Sequence, residues 1–241
     1  MRSGNPVLKD KTFQRSSSPG ATMSLGGTVA KTFFLFLFLL GSALYTWYQY
    51  SQGVNVSLMM IIGAIGGLTF ALITIFIPKA APVTAPIYAA LEGFFIGGIS
   101  SFAESNYPGV VIQAASLTFA VMGALLFLYA TGVIKVTKNF RLMVISATLA
   151  IFIVYLVNFI LNIFFQASVP YLHSSGPIGI GISLVIVAVA ALNLVLDFDF
   201  IERGVGKGAP KHMEWYGAFG LMITLVWLYI EILRLLQKLR R

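Results

Sequence analysis

The chain reads as a series of continuous apolar runs separated by short polar breaks. Crossing roughly 30 Å of hydrocarbon takes about 20 apolar residues in a helix. Seven stretches meet that length: 26–48, 57–77, 84–103, 109–134, 141–165, 178–200 and 214–236. The breaks carry turn residues: Gln52-Gly53 with Asn55, Pro78 with Pro82 and Pro86, Asn106 with Pro108, Lys138-Asn139, Pro170 with Gly176-Pro177, and the run from Gly204 to Pro210. The runs lack the in/out alternation of a membrane-barrel strand, so the expected fold class is all-α, an integral membrane bundle of seven transmembrane helices. Residues 1–24 hold Arg2, Lys9, Lys11, Arg15 and Ser16-Ser17-Ser18 with almost no apolar periodicity. They are expected to form a disordered basic tail, with 25–241 as one transmembrane domain. The first run is too long for a signal peptide and is expected to be retained.

Composition leads to the same solvent. Of 241 residues 58% are hydrophobic and only 10% charged, where about 25% is usual, too little ionic surface for a soluble globule. With no cysteine, disulfides, thiolate metal sites and cysteine nucleophiles are excluded. The net charge of +8 suits orientation in the bilayer and contact with anionic lipid. No basic patch interleaved with exposed aromatics is present, so nucleic acid is not an expected partner. Lys and Arg alternate by loop. They crowd before and at Lys31, recur at Lys79, at Lys135, Lys138 and Arg141, and at Arg203, Lys207 and Lys211, and are missing from the loops between. That pattern puts the N-terminus in the cytoplasm, although Arg234, Lys238, Arg240 and Arg241 then run against the rule.

Small residues recur in Gly63-xxx-Gly67 and in Ala89-xxx-Gly93-xxx-Gly97, a face expected to lie close against a neighbouring helix. Ionisable groups inside spans are expensive and therefore the functional candidates. Glu92 falls about 12 Å into the third span. Asp197 ends the sixth span and Glu214 begins the seventh, on the same side of the membrane as the entry of the third. Asn193, one turn before Asp197, extends its polar stripe. The expected ion or proton path is therefore Glu92, Asp197, Glu214 and Asn193. Asp199, with Glu202 and Arg203, reads as a solvated helix end and a secondary candidate, Asn158 and Asn162 as interhelical hydrogen-bonding residues, and Glu231 with Arg234 as a local surface pair. There is no G-x-x-x-x-G-K-[ST], G-x-S-x-G or H-E-x-x-H, and His173 and His212 fall in loops on opposite sides. An enzyme is not expected.

Three segments carry a resemblance: Pro86-Ile-Tyr-Ala-Ala-Leu-Glu-Gly-Phe-Phe-Ile-Gly97, Leu196-Asp-Phe-Asp-Phe-Ile-Glu202 and Trp227-Leu-Tyr-Ile-Glu-Ile-Leu-Arg-Leu-Leu236. They are similar to the Bax inhibitor family, in particular its bacterial branch, as is Asn5-Pro-Val-Leu8 in the tail. The resemblance implies helices around a central last helix and a slow, pH-modulated calcium leak through an acid-lined path in a bacterial inner membrane. It matches Glu92 to the family's third-span glutamate and Asp197 to one member of its pH-sensing acid pair. The other member is an aspartate ten residues before the closing arginine; with Arg234 in that role, the slot holds Thr224. The family's second-span arginine has no counterpart in 57–77. Oxygen donors at Glu92 and Asp197 suit a transient hard cation such as calcium, and no resident cofactor is expected. Besides the lipid bilayer, a membrane-protein partner fits the competing expectation, a non-transporting regulator of a membrane protease or another membrane partner. The chain is expected as a monomer or weak homo-oligomer.

Overall fold

The computed structural model describes residues 21–167, 169–170, 172 and 174–240. The expectations placed on residues 1–20, including the Asn5 to Leu8 likeness, and on His173 lie outside the described residues. Seven helices follow one another: α1 (Leu25–Ser51), α2 (Ser57–Phe76), α3 (Ala81–Asn106), α4 (Val110–Ala130), α5 (Lys138–Phe165), α6 (Pro177–Gly206) and α7 (Met213–Leu239). Each is long and apolar enough to cross a membrane, and the chain is an all-helical, polytopic membrane protein.

Two boundaries differ from the sequence expectation in ways that move the acids inward. Pro82 and Pro86 do not interrupt the chain. A 3₁₀ turn at Pro78–Ala80 leads straight into α3 at Ala81, which carries Pro86 inside it. Pro82 lies in the first turn, where backbone N–H groups have no helical acceptor and proline is tolerated. Glu92 is therefore about 16 Å along α3. Likewise α6 does not stop near Asp197 but continues to Gly206, so Asp197 lies about 13 Å before its end.

The chain forms two compact units. The first takes residues 21–106 and 197–226, the second 107–196 and 227–240, so α6 and α7 each contribute to both. In the first, α3 lies against α1 and α2. A Cβ on Gly93 would collide with the Ser42 side chain and the Leu39 carbonyl, and one on Gly97 with the Ala43 backbone. A Cβ on Gly63 would stand 2.6 Å from the Leu91 carbonyl oxygen of α3. The small-residue faces are thus the helix contacts they were expected to be, because only the absence of side chains allows backbones this close. In the second unit, Gly109 takes φ 80° to start α4, a left-handed turn that a side chain would oppose. The Arg240 guanidinium bonds the Pro108 carbonyl at 2.8 Å and Gln113 Oε1 at 2.9 Å. Val144 is the buried residue of α5; most of its other apolar side chains are exposed, as a lipid-bathed helix allows, while Ile145, Ile151 and Leu161 are half-buried.

Candidate functional site

Asp197 is 3% exposed and lies in the first unit. The Thr224 side chain is its hydrogen-bonding neighbour, so the residue in the family's partner slot is also its neighbour in space. Asp197 Oδ2 is buried and has no hydrogen-bond partner among the described residues. Thr224 Oγ1 also donates to the Gly220 carbonyl at 3.3 Å. A hydroxyl has one proton, so Thr224 can satisfy Gly220 or the carboxylate but not both.

Glu92 sits over α2 at Gly67, where a Cβ would come 3.0 Å from Oε2. Gly67 therefore makes room for a carboxylate as well as for a helix. Arg203 pairs with Asp199 at 2.7 Å, and their side chains are 30% and 13% exposed, so the pair expected at a solvated helix end is largely covered and lies before the end of α6. One turn before Glu92, the Tyr88 ring meets Phe219 edge-on at 5.0 Å. Phe219 continues to Tyr216 at 6.4 Å, and Tyr216 to Phe200 at 6.3 Å, one turn beyond Asp197. Rings from three helices thus connect the turns next to the two acids. The Tyr216 hydroxyl, like Asp197 Oδ2, is buried without a partner among the described residues. Sequence reasoning passed over Tyr216; a phenol within an apolar span, which must bring its hydroxyl along, was the available signal.

Glu214 is placed differently from Asp197. It is fully buried and accepts from Ser24 N at 2.9 Å, Ser24 Oγ at 2.8 Å, Lys211 Nζ at 2.7 Å and Lys31 Nζ. Gly27 is required beside it, since a Cβ there would overlap the carboxylate. Ser24 Oγ in turn accepts from Gly27 N at 3.0 Å and caps α1. Residues 21–24, expected in the structureless tail, are ordered: Met23 N donates to the Ala209 carbonyl at 2.7 Å and Lys211 N to that of Ala21 at 3.1 Å. Local polarity suggested that the tail runs to residue 24; hydrogen bonds to a distant loop fix residues 21–24 instead. Of the other expected path residues, Asn193 donates to Thr148 Oγ1 of α5 and to the Val189 carbonyl, each at 2.8 Å, an interhelical bond within the second unit.

Glu231 and Arg234 are not a surface pair. Glu231 is 2% exposed because α5 covers it. The Tyr155 hydroxyl donates to its carboxylate at 2.9 Å, and Arg234 bonds it at 3.1 Å and also reaches the Tyr155 oxygen. One turn on, the buried Lys238 ammonium donates to the Leu172 and Gly179 carbonyls at 2.7 and 3.0 Å and to Ser183 Oγ at 2.8 Å. These groups fasten the second unit's part of α7 to α5, α6 and the loop between them.

No three His, Asp or Glu side chains converge as a metal site among the described residues. A comparison with curated proteins finds no match. The family model described as Bax inhibitor 1 like matches residues 5–241, and the chain belongs to that family.

Proposed function

We propose that this member of the Bax inhibitor 1 like family conducts a slow, pH-modulated leak of a cation, calcium in the first instance, along an acid-lined path. Its N-terminus lies in the cytoplasm on the distribution of its basic loops, and its resemblance to the family's bacterial branch suggests a bacterial inner membrane. One observation carries the reading: Asp197, buried inside a membrane-spanning helix, keeps one carboxylate oxygen without a partner among the described residues. A hard cation binds such oxygens, and a proton on the same carboxylate competes with it. The cation is cargo, and the reading needs neither a resident cofactor nor covalent chemistry.

The roles divide accordingly. Asp197 is the titrating ligand. Thr224 is a neutral partner that bonds either the carboxylate or Gly220, so the pH response belongs to one acid rather than to a coupled pair. Glu92, over Gly67, is a second oxygen donor on the path. Glu214 has its carboxylate taken up by the clasp, Asn193 spends its amide hydrogens on Thr148 and Val189 in the second unit, and neither is given a role in conduction.

Calcium flux into proteoliposomes carrying the purified chain tests the reading. Flux above protein-free vesicles, varying with pH in the wild type and not in Asp197→Asn, is the expected result. Flux that ignores pH would reject Asp197 as a sensor. No flux above protein-free vesicles would reject transport and leave the non-transporting regulator of a membrane partner.

A further inference from the structure

Three separate connections of the first unit meet at one end. Residues 21–23 pair with the 209–211 loop, and Lys31 of α1 and Lys211 of that loop share Glu214. Lys79, in the turn between α2 and α3, lies near enough to His212 for its charge to act on the imidazole. Among the described residues, five cations belong to these connections and the helix ends they join: Lys31, Lys79, Arg203, Lys207 and Lys211. The acids among them are Asp199, Glu202 and Glu214; Glu214 is buried in its clasp and Asp199 bonds Arg203. Lys79, Lys207 and Lys211 remain exposed. We infer that this end of the protein is a binding surface for the phosphate headgroups of anionic phospholipids, with Lys79 and Lys207 as its outer contacts.

The level of the lysines argues for lipid. Phe76 is 78% and Ile77 55% exposed, and the chain turns basic two residues later. Val29 and Phe33, on either side of Lys31, are also exposed. Outward apolar side chains followed at once by outward ammonium groups mark the edge of the hydrocarbon, where headgroup phosphates lie. The Lys31 ammonium stands 5.5 Å from the Trp215 ring, which Phe34 meets edge-on at 5.7 Å, the aromatic and basic mixture of a membrane interface. Burial first, and then the Lys79 charge, hold the His212 imidazole below its ordinary value, in keeping with a positive local potential. The inference does not rest on the transport reading and stands if no ion moves.

The purified full chain in dodecylmaltoside is titrated with phosphatidylglycerol or phosphatidylcholine, bound lipid being counted by native mass spectrometry and melting followed in parallel. Phosphatidylglycerol should bind more tightly and raise the melting temperature more. Lys79→Gln/Lys207→Gln should weaken phosphatidylglycerol at least about tenfold. Lys135→Gln/Lys138→Gln removes the same charge at the α4–α5 connection and should not, and Lys79→Arg/Lys207→Arg should bind as the wild type does. Lys211 is left in place because it holds Glu214. Equal binding of the two lipids, an equal loss in the Lys135/Lys138 control, or a loss in the arginine variant would overturn the inference. So would stabilisation by millimolar inorganic phosphate matching that by phosphatidylglycerol, which would assign the surface to a free anion.

Discussion

Around Glu214 four donors from α1, its cap and the α6–α7 loop converge on one carboxylate. Around Asp197, in the same unit and equally out of water, the Thr224 hydroxyl is the neighbour and one oxygen meets nothing among the described residues. A buried anion ringed by donors contributes to folding, and removing it leaves charges stranded. A buried carboxyl with spare capacity contributes little to folding, and its spare lone pairs are available to a proton, a water molecule or a cation. Glu231 in the second unit repeats the first arrangement with Tyr155 and Arg234.

The largest test of that contrast is Glu214→Ala, which leaves Lys31, Lys211 and Ser24 without their acceptor. A loss of about 3 kcal/mol, at the lower end for a buried pair because Lys211 is half exposed, should appear as a lowered melting temperature in detergent. Gly27→Ala should act in the same direction by pushing the carboxylate out. If both variants melt like the parent, the clasp is not a stabilising element and the contrast fails.

Next in size is Tyr155→Phe, which removes the hydroxyl bridging Glu231 and Arg234 but keeps the ring beneath the guanidinium. About 1–2 kcal/mol is the expected loss by thermal melting. Asp197→Asn should change stability by less than about 1 kcal/mol, since it removes no ion pair, while abolishing the pH dependence of calcium flux. A destabilisation as large as that of Glu214→Ala would show Asp197 to be structural too. Thr224→Asp sharpens the same point, because a second carboxyl beside Asp197 creates a coupled pair whose protons leave in two separated steps, which should spread the pH profile of flux over a wider range.

The smallest effect concerns His212, which lies outside the spans. Burial, and then Lys79, place its folded value below the ordinary one of 6.5. The unfolded chain therefore takes up the proton first as pH falls. The stability associated with neutral His212 is complete above about pH 6.5 and is lost below it, through the folded value. Comparing melting at pH 7.5 and pH 5.5, His212→Gln should lose less on acidification than the wild type. An identical loss would mean that the imidazole is not part of the acid response.

The residues differ in how much of this was legible. Gly93 and Gly97 announced their role because a four-residue spacing of small side chains is a local signature of close approach, and the Ser42 and Ala43 contacts follow from it. Asp197 was legible as a polar residue where lipid tolerates few, and Thr224 through the likeness of the α7 segment. Glu231 was misread from its spacing to Arg234, which predicts a pair but not the α5 tyrosine that buries it. Glu214 was placed on the path with Asp197 because both lie near one membrane surface. Its commitment to Ser24 and Lys31 could not be read from neighbouring positions.

The sequence alone determined the solvent, the number of helices and their places, because hydrocarbon demands that each span satisfy its backbone internally and present a long local run of apolar side chains. It also determined membership in the family, which spans residues 5–241. The tertiary structure alone decided which acids are satisfied. A carboxylate's partners are set by which helices lie together, and the clasp on Glu214 reaches back 190 residues to Ser24. Asp197 is left with a spare oxygen because Thr224, 27 positions along the chain, has one proton to offer, for which the Gly220 carbonyl competes.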